Sequence, residues 1–185
     1  RIFCILHKLN NNWYFDEIQR VNICPSDNED CIQLNPSFTK IIKSTRQCVS
    51  SCTSEYPYSF NNECFHDCSE AKNTFGYNVK AKGASKECIC NNLWKNNNGK
   101  KECLNDSECP SGFLEIFDTR ECLEKADDTC PDESPLFFNK ICYKKNNCPT
   151  NSHFDTNVVG KCVCDNLWYI NGNGKMECLQ KSITI

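Results

Sequence analysis

The chain has 185 residues, of which 18 are cysteine, and a formal net charge of −3. The weak negative charge removes the electrostatic basis for binding nucleic acid or an anionic membrane, and no run of about 18 apolar residues could span a bilayer. Less than a third of the chain is apolar once the cysteines are set aside. This composition is typical of a disulfide scaffold in an oxidising compartment, so we expect an extracellular protein, secreted or on the cell surface.

The cysteines follow one another in close pairs. From residue 24 onward the pairs are Cys24/Cys31, Cys48/Cys52, Cys64/Cys68, Cys88/Cys90, Cys103/Cys109, Cys122/Cys130, Cys142/Cys148 and Cys162/Cys164, while Cys4 and Cys178 stand alone. Disulfides contribute about 2–4 kcal/mol each, and we expect them to replace a large core. Because Arg1 begins no recognisable secretory signal, we expect a mature fragment or a window of a longer repetitive protein.

Each interval between cysteine pairs carries an aromatic residue partway along. These residues are Phe38, Tyr58, Phe75, Trp94, Phe113, Phe137, Phe154 and Trp168. We interpret each interval as a short β-hairpin or loop that is pinned by cysteines at its base, with the aromatic ring over the neighbouring disulfide. Asn98-Gly99 and Asn173-Gly174 predict type I′ hairpin turns, since both residues of that turn need positive φ. A turn or two of helix is expected only within residues 39–52.

A long repeat is visible in the sequence. Residues 88–103 are CICNNLWKNNNGKKEC and residues 162–178 are CVCDNLWYINGNGKMEC. Upstream, residues 45–48 match residues 119–122, and residues 58–64 match residues 136–142. Self-similarity at a fixed period indicates a repeat architecture. We therefore predict the tail of a preceding repeat at 1–31, one repeat at 32–109, and another at 110–185 that continues beyond the chain end.

Two motifs resemble known cysteine-rich modules. Residues 109–113, CPSGF, followed by Cys122, resemble the C-P-x-G-aromatic…C unit of growth-factor-receptor-type, or furin-like, repeats, and Cys130-Pro131 and Cys148-Pro149 repeat part of it. The C-x-C segments that begin at residues 88 and 162 are similar to half of an EGF-like module. Proteins of this kind are abundant on protist surfaces and in protist secretions. The resemblance implies a small disulfide-rich fold of short β-hairpin modules, stacked into an extended rod with little helix.

The resemblance also implies disulfides joined first-to-third and second-to-fourth within each module, and two phases fit. In one phase Cys24–Cys48 and Cys31–Cys52 begin the series, which leaves Cys4 and Cys178 without partners. The other phase contains Cys48–Cys64, Cys52–Cys68, Cys88–Cys103, Cys90–Cys109, Cys122–Cys142, Cys130–Cys148, Cys162–Cys178 and Cys4–Cys31, and leaves Cys24 and Cys164 over. The remaining cysteines are expected to bond either to flanking sequence or to another copy, head to tail.

Other chemistries have weaker signals. Cys64-Phe65-His66-Asp67-Cys68 contains soft zinc ligands, but structural zinc sites prefer regular C-x2-C knuckles, so we predict no metal and no cofactor. The acidic clusters at residues 27–30 and 127–133 follow no calcium-loop signature and are interpreted as solvated loops. His7 and His153 have no recognisable catalytic partner, and no nucleophile elbow or C-x-x-C redox motif is present. We therefore expect that the protein is not an enzyme.

Asn105-Asp106-Ser107 is an N-x-S sequon in the short loop between Cys103 and Cys109, and it predicts a glycan at Asn105. The absence of a catalytic pattern, the tandem repetition and the cysteine content favour a structural role, as a subunit or segment of an extracellular filament, coat or matrix. The expected partner is another copy, head to tail, in a homopolymer. The alternative is a ligand-binding or adhesion ectodomain, for which Tyr14, Tyr56, Tyr77 and Tyr169 could mark an interface.

Overall fold

The computed structural model describes residues 14–16, 21–23, 25–125 and 127–180. The chain forms two compact units, residues 1–91 and residues 92–185. Within the described residues the structure consists of short β-strands in small hairpin sheets and two helices. This confirms the small, disulfide-rich β-hairpin fold with little helix. The repeat bounds at 1–31, 32–109 and 110–185 stay a prediction.

The described residues of the first unit form eight strands and both helices. Their bounds are β1 Tyr14–Asp16, β2 Val21–Ile23, α1 Asn28–Leu34, β3 Lys40–Ile42, β4 Gln47–Val49, β5 Tyr58–Phe60, β6 Glu63–Phe65, α2 Cys68–Phe75, β7 Val79–Ala81 and β8 Cys88–Cys90. Consecutive strands pair as antiparallel hairpins. The hairpins β3–β4 and β5–β6 join through a short parallel ladder between β3 and β6, which gives a sheet of order β4-β3-β6-β5.

In the part of the second unit that the structure describes there are ten strands. Their bounds are β9 Trp94–Asn97, β10 Lys100–Cys103, β11 Phe113–Ile116, β12 Glu121–Glu124, β13 Leu136–Phe138, β14 Ile141–Tyr143, β15 Ser152–Phe154, β16 Cys162–Cys164, β17 Trp168–Ile170 and β18 Met176–Cys178. Three hairpins form one sheet of order β10-β9-β12-β11-β14-β13, in which β9 and β12 are parallel, as are β11 and β14. The hairpins β15–β16 and β17–β18 form two further two-stranded sheets.

The disulfides connect neighbouring cysteines along the chain, and this corrects the first-to-third wiring. The observed bonds are Cys31–Cys48, Cys52–Cys64, Cys68–Cys88, Cys109–Cys122, Cys130–Cys142, Cys148–Cys162 and Cys164–Cys178. Cys90 and Cys103 are disulfide-bonded as well. Both predicted phases are therefore wrong. Each of the seven bonds from Cys31–Cys48 to Cys164–Cys178 joins the cysteine that precedes a hairpin to the cysteine on the second strand of that same hairpin, and their Cα separations of 5.2 to 5.7 Å are typical of disulfides.

The helices lie elsewhere than expected. Residues 40–49 form the hairpin β3–β4, so the helical turn predicted within residues 39–52 is wrong. Both observed helices begin at an aspartate N-cap: the Asp27 carboxylate accepts from the backbone N–H groups of Glu29 and Asp30, and Asp67 accepts from that of Ser69. In this position a carboxylate satisfies otherwise unpaired N–H groups at the positive end of the helix. The acidic cluster at residues 27–30 is therefore the start of α1 rather than a loop.

The two predicted type I′ turns have different outcomes. Asn98 and Gly99 both have positive φ, 51° and 80°, and form a two-residue connection between Asn97 and Lys100, as predicted. In the second copy only Gly174 has positive φ, 74°, and the loop runs from residue 171 to residue 175. The prediction at Asn173-Gly174 is wrong because this copy is one residue longer, which accommodates a three-residue turn with glycine in the left-handed position.

The core is divided among small clusters that include disulfides. In the first unit Ile41 and Ile42 are buried, and Phe75 makes edge contacts with Phe60 and Phe65. In the second unit Phe137 packs against a cluster that contains Cys142, and Phe154 packs against one that contains Cys162. At these two positions the aromatic residue of the interval lies beside a disulfide, so short hairpins are stabilised without a large apolar interior.

Candidate interaction surface

The described residues show oxidised sulfur and no metal-binding cluster. All sixteen described cysteines are disulfide-bonded. Within the same residues no group of three or more His, Cys, Asp or Glu side chains is arranged to hold a metal ion. No described helix is long and apolar enough to cross a membrane.

The first Asn-Leu-Trp segment is hydrogen-bonded to the hairpin that follows it. Leu93 is fully buried, and Trp94 is half-buried at the start of β9. Strand β12 pairs in parallel with β9, so that the Trp94 backbone N–H donates to the Arg120 carbonyl at 3.1 Å. The indole Nε1 of Trp94 donates to the Thr119 carbonyl at 2.8 Å, and the Lys101 ammonium lies 5.1 Å from the ring centroid. This copy of the segment is thus packed and hydrogen-bonded on its outer side.

The second Asn-Leu-Trp segment is exposed. Leu167, the counterpart of Leu93, is 76% exposed, and Trp168, the counterpart of Trp94, is 55% exposed. Tyr169, Ile170 and Leu179 beside them are exposed as well. We call these five side chains the C-terminal apolar surface. Because successive side chains of a strand point to opposite faces, Trp168 and Ile170 lie on one face of β17 and Tyr169 lies on the other, so both faces of this hairpin carry exposed apolar side chains.

A hydrogen-bond network holds the tyrosine of this surface in place. The Tyr169 hydroxyl donates to a Glu177 carboxylate oxygen, and the Asn171 side chain donates to the other oxygen at 2.7 Å. The hydrogen bond to Glu177 raises the pKa of Tyr169, and the same bond, followed by that from Asn171, lowers the pKa of Glu177. The carboxylate is therefore charged and the phenol is neutral at physiological pH. Tyr169 is presented as a rigid amphipathic group, which suits a contact surface.

A second candidate is an open cavity of about 410 Å³ in the second unit. Its lining includes two ion pairs, with Arg120 Nη1 2.8 Å from Glu115 Oε1 and Lys175 Nζ 2.7 Å from Glu108 Oε1. Burial raises the pKa of Glu115 against the opposing effect of Arg120. Because these charges pair with each other, the cavity is a weaker candidate for ligand recognition than the C-terminal apolar surface.

The predicted inter-subunit cysteines are corrected in part. Cys178 is bonded to Cys164 across the hairpin β17–β18, so neither of these two residues is available for a bond to another copy. The reason is local: Cys164 precedes the hairpin and Cys178 lies on its second strand, the same arrangement as in Cys148–Cys162. Cys4 and Cys24 lie outside the described residues.

The other predicted site residues occupy exposed positions. Asn105, Asp106 and Ser107 are all exposed, and the Asn105 carbonyl accepts from the Asn92 side chain at 3.0 Å. The Asn105 side chain is thus placed where a glycan would meet solvent. His66 is exposed, and so is His153, whose ring Nδ1 lies 2.6 Å from Asp165. His7 lies outside the described residues.

Of the four tyrosines proposed as interface markers, Tyr169 alone belongs to the C-terminal apolar surface. Tyr77 stacks on Phe75 with a centroid separation of 5.8 Å, Tyr56 is half-buried, and the side chain of Tyr14 lies outside the described part of the chain. Sequence reasoning missed the exposure of Leu167 and Trp168. A signal was present, because the second copy has Tyr169 and Ile170 where the first has Lys95 and Asn96.

No protein-family model matches the chain, and comparisons with the curated proteins and with the solved structures find no similar protein.

Proposed function

We propose that this protein is a secreted, disulfide-stapled repeat protein with a structural role, as a subunit or segment of an extracellular filament, coat or matrix. In this role it has no enzymatic activity, carries a glycan at Asn105 and associates with copies of itself head to tail. Disulfides between local cysteines give small modules that fold with little apolar core, which suits an oxidising exterior. Tandem modules that contact only their neighbours form extended assemblies when the end-to-end contact repeats.

One observation carries the proposal: the same sequence segment is hydrogen-bonded to a neighbouring hairpin in its first copy and exposed in its second. Leu93 is buried and Trp94 pairs with strand β12 of the following hairpin, whereas Leu167 and Trp168 are 76% and 55% exposed. In the first copy the equivalent segment makes a contact between two hairpins, so the exposed segment of the second copy is suited to making a similar contact. Because Cys164 and Cys178 are bonded to each other, the proposed association is non-covalent at this end.

The alternative is a ligand-binding or adhesion ectodomain of the growth-factor-receptor type, or one with EGF-like modules. Exposed Trp168 and Tyr169 favour it, since aromatic residues supply binding energy at many recognition surfaces. The observed disulfides weaken the family resemblance, because they join consecutive cysteines rather than first to third. The pairing of Trp94 with strand β12 favours assembly, because a similar strand could pair with the exposed Trp168.

Analytical ultracentrifugation of the purified, oxidised chain tests the proposal. We expect the weight-average mass to rise continuously with protein concentration, and electron microscopy of concentrated samples to show linear assemblies or sheets. Non-reducing electrophoresis in detergent of the same samples separates non-covalent association from disulfide crosslinking. A single monomeric species at every concentration would contradict the structural role and favour the ectodomain.

A further inference from the structure

The floor of the open cavity in the second unit is one face of strand β11. Successive side chains of a strand point to opposite faces, so Phe113 and Glu115 share a face, and both line the cavity. The backbone N–H groups of Glu115 and Phe117 both donate to carbonyls of the β13–β14 hairpin, so Phe117 continues that face, and it lines the cavity as well. Phe117 is 43% exposed. The floor therefore presents aromatic surface that solvent reaches.

The rim of the cavity is polar, and its carboxylates already have partners. Ser107 and Ser111 are exposed and line the rim, and a serine hydroxyl can both donate and accept a hydrogen bond. The two ion pairs of the lining neutralise both of its glutamates. Aromatic surface with a few hydroxyl groups suits a neutral ligand that bears hydroxyls better than it suits an ion. The volume of about 410 Å³ lies within the range of about 300–1,000 Å³ that is usual for small-molecule sites.

The predicted glycosylation site lies next to this cavity. Asn105 is two residues before Ser107, so their Cα atoms are at most about 7.6 Å apart. The loop that contains both is short and runs between two disulfide-bonded residues, Cys103 and Cys109. The Asn92 side chain also donates to the Asn105 carbonyl at 3.0 Å, which holds the loop in place. A sugar attached to the Asn105 side chain therefore begins within reach of the rim.

We propose that this cavity binds the first sugars of the chain's own glycan at Asn105, with N-acetylglucosamine as the ligand class. The C–H groups of the sugar ring pack on the negative faces of Phe113 and Phe117, and its hydroxyl and acetamido groups hydrogen-bond to the serines of the rim. The inference rests on the proposed glycosylation and assigns the glycan a place on the protein surface.

Covalent attachment makes a weak contact of this kind sufficient. A ligand that is tethered by a short linker has a high effective concentration at its site, so it occupies the cavity without the affinity that a free sugar would need. The bound sugar covers the exposed ring of Phe117. Because the cavity is open, the contact adds little to the free energy of unfolding, and its readout is the environment of the sugar itself.

The proton resonances of the glycan test this contact directly. The sample is the full chain, secreted by a eukaryotic host with isotopically labelled sugars and trimmed to the first sugars of the glycan. We expect the ring and acetyl protons of these sugars to resonate upfield of their positions in the same chain after reduction and unfolding in urea. The reason is that protons over the face of an aromatic ring are shielded by its ring current.

Three variants identify the surface that causes the shift. Phe117→Leu keeps an apolar side chain but removes the ring, so the upfield shift should shrink or disappear. Ser111→Arg fills the rim from an exposed turn position and leaves the floor intact, so it should displace the sugar and abolish the shift. Val159→Ser is the matched control, because Val159 is a highly exposed apolar side chain of the same unit outside the cavity, and it should leave the shift unchanged. Amide exchange verifies that each variant is folded.

Added N,N′-diacetylchitobiose distinguishes the attached glycan from a free sugar. We expect the disaccharide to perturb the amide resonances of residues 113–117 in Asn105→Gln, where the cavity is empty of glycan, and not in the glycosylated chain. Equal perturbation in both chains, or sugar resonances that match those of the unfolded chain, would overturn the contact and leave glycosylation at Asn105 intact. An unmodified Asn105 in the secreted chain would overturn both.

Discussion

The strands β4-β3-β6-β5 and the strands β12-β11-β14-β13 have the same topology. They differ at one pair of the central parallel ladder, where the glutamate and the isoleucine lie on opposite strands in the two arrangements. In the first, Ile41 on β3 is opposite Glu63 on β6; in the second, Glu115 on β11 is opposite Ile141 on β14. Ile41 is fully buried, and the two glutamates are 3% and 6% exposed. This position therefore accommodates one carboxylate and one aliphatic side chain, and either strand can supply either one.

Each carboxylate has a cation nearby, but from a different place. Lys43 Nζ lies 3.5 Å from Glu63 Oε1, just beyond the end of β3. Arg120 Nη1 lies 2.8 Å from Glu115 Oε1, from the turn between β11 and β12. Arg46 occupies the position in the first arrangement that Arg120 has in the second. The first arrangement therefore already contains the cation that a carboxylate at position 41 would need.

Among the substitutions that test this comparison, Ile41→Glu is expected to lower the free energy of unfolding most. It would place two carboxylates opposite each other in a buried ladder, and an uncompensated buried charge costs about 3–5 kcal/mol. In the double variant Ile41→Glu with Glu63→Ile, the single carboxylate moves to β3, where Arg46 can pair with it as Arg120 does with Glu115. We expect the double variant to recover more than half of the lost free energy of unfolding, measured by urea denaturation.

Hydrogen exchange over residues 40–65 provides the control, because protection there should fall in the single variant and return in the double variant. Additive effects of the two substitutions would contradict the equivalence of the two arrangements.

Removal of matched disulfides is expected to have the next largest effect. Cys52–Cys64 and Cys130–Cys142 each close a loop with a sequence separation of 12 in equivalent hairpins. Replacing both cysteines of either bond with alanine should lower the stability of its own unit by about 2–4 kcal/mol, because the unfolded chain regains loop entropy. Hydrogen exchange under non-reducing conditions localises the loss. A clear inequality between the two variants would show that the hairpins are not energetically equivalent.

The titration of the Glu115 carboxyl is expected to change the stability of the protein with pH by a smaller amount. Burial raises the pKa of this carboxyl above its ordinary value of 4.5, so the folded state binds the proton more tightly than the unfolded state. Its contribution to stability is therefore fully present below the ordinary value and is lost as the pH rises through the raised pKa. We expect Glu115→Gln to gain in stability relative to the unsubstituted chain over that range, measured by urea denaturation at a series of pH values.

Arg120→Gln is the companion variant for this measurement. Removal of the guanidinium takes away the group that opposes the shift, so the pKa of Glu115 should rise further and the loss of stability should extend to higher pH. A relative stability of Glu115→Gln that falls over the same range would contradict a raised pKa of Glu115 in the folded state.

The sequence predicted the parts of the fold that local patterns encode. Paired cysteines and an aromatic residue in each interval indicated the hairpins, and Asn98-Gly99 indicated its turn, because these depend on a few neighbouring residues. Disulfide connectivity was wrong because it was taken from a resemblance, whereas the observed bonds follow the hairpins. The helices were missed because α1 and α2 are seven and eight residues long, too short for a periodic signal, and their Asp caps resemble ordinary loop residues.

The candidate surface was less accessible to sequence reasoning. Residues 92–94 and 166–168 are Asn-Leu-Trp in both copies, so these letters alone do not distinguish a buried segment from an exposed one. In the first copy Trp94 pairs with β12, and that pairing is a property of the sheet order rather than of the segment. The one sequence signal of the different exposure is that Tyr169 and Ile170 stand in the second copy where the first has Lys95 and Asn96.

The smallest expected effect on stability concerns the residue that follows each Asn-Leu-Trp hairpin. The first copy has Leu104-Asn105 and the second has Leu179-Gln180, so only the first contains the sequon. Because Asn105 is exposed, Asn105→Gln should change the free energy of unfolding by less than about 0.5 kcal/mol. In material secreted by a eukaryotic host, mass spectrometry of the peptide that contains residue 105 should show a glycan that the variant lacks. An unmodified Asn105 in such material would remove the predicted glycan and leave the assembly contact, which lies on the other copy of the segment, unaffected.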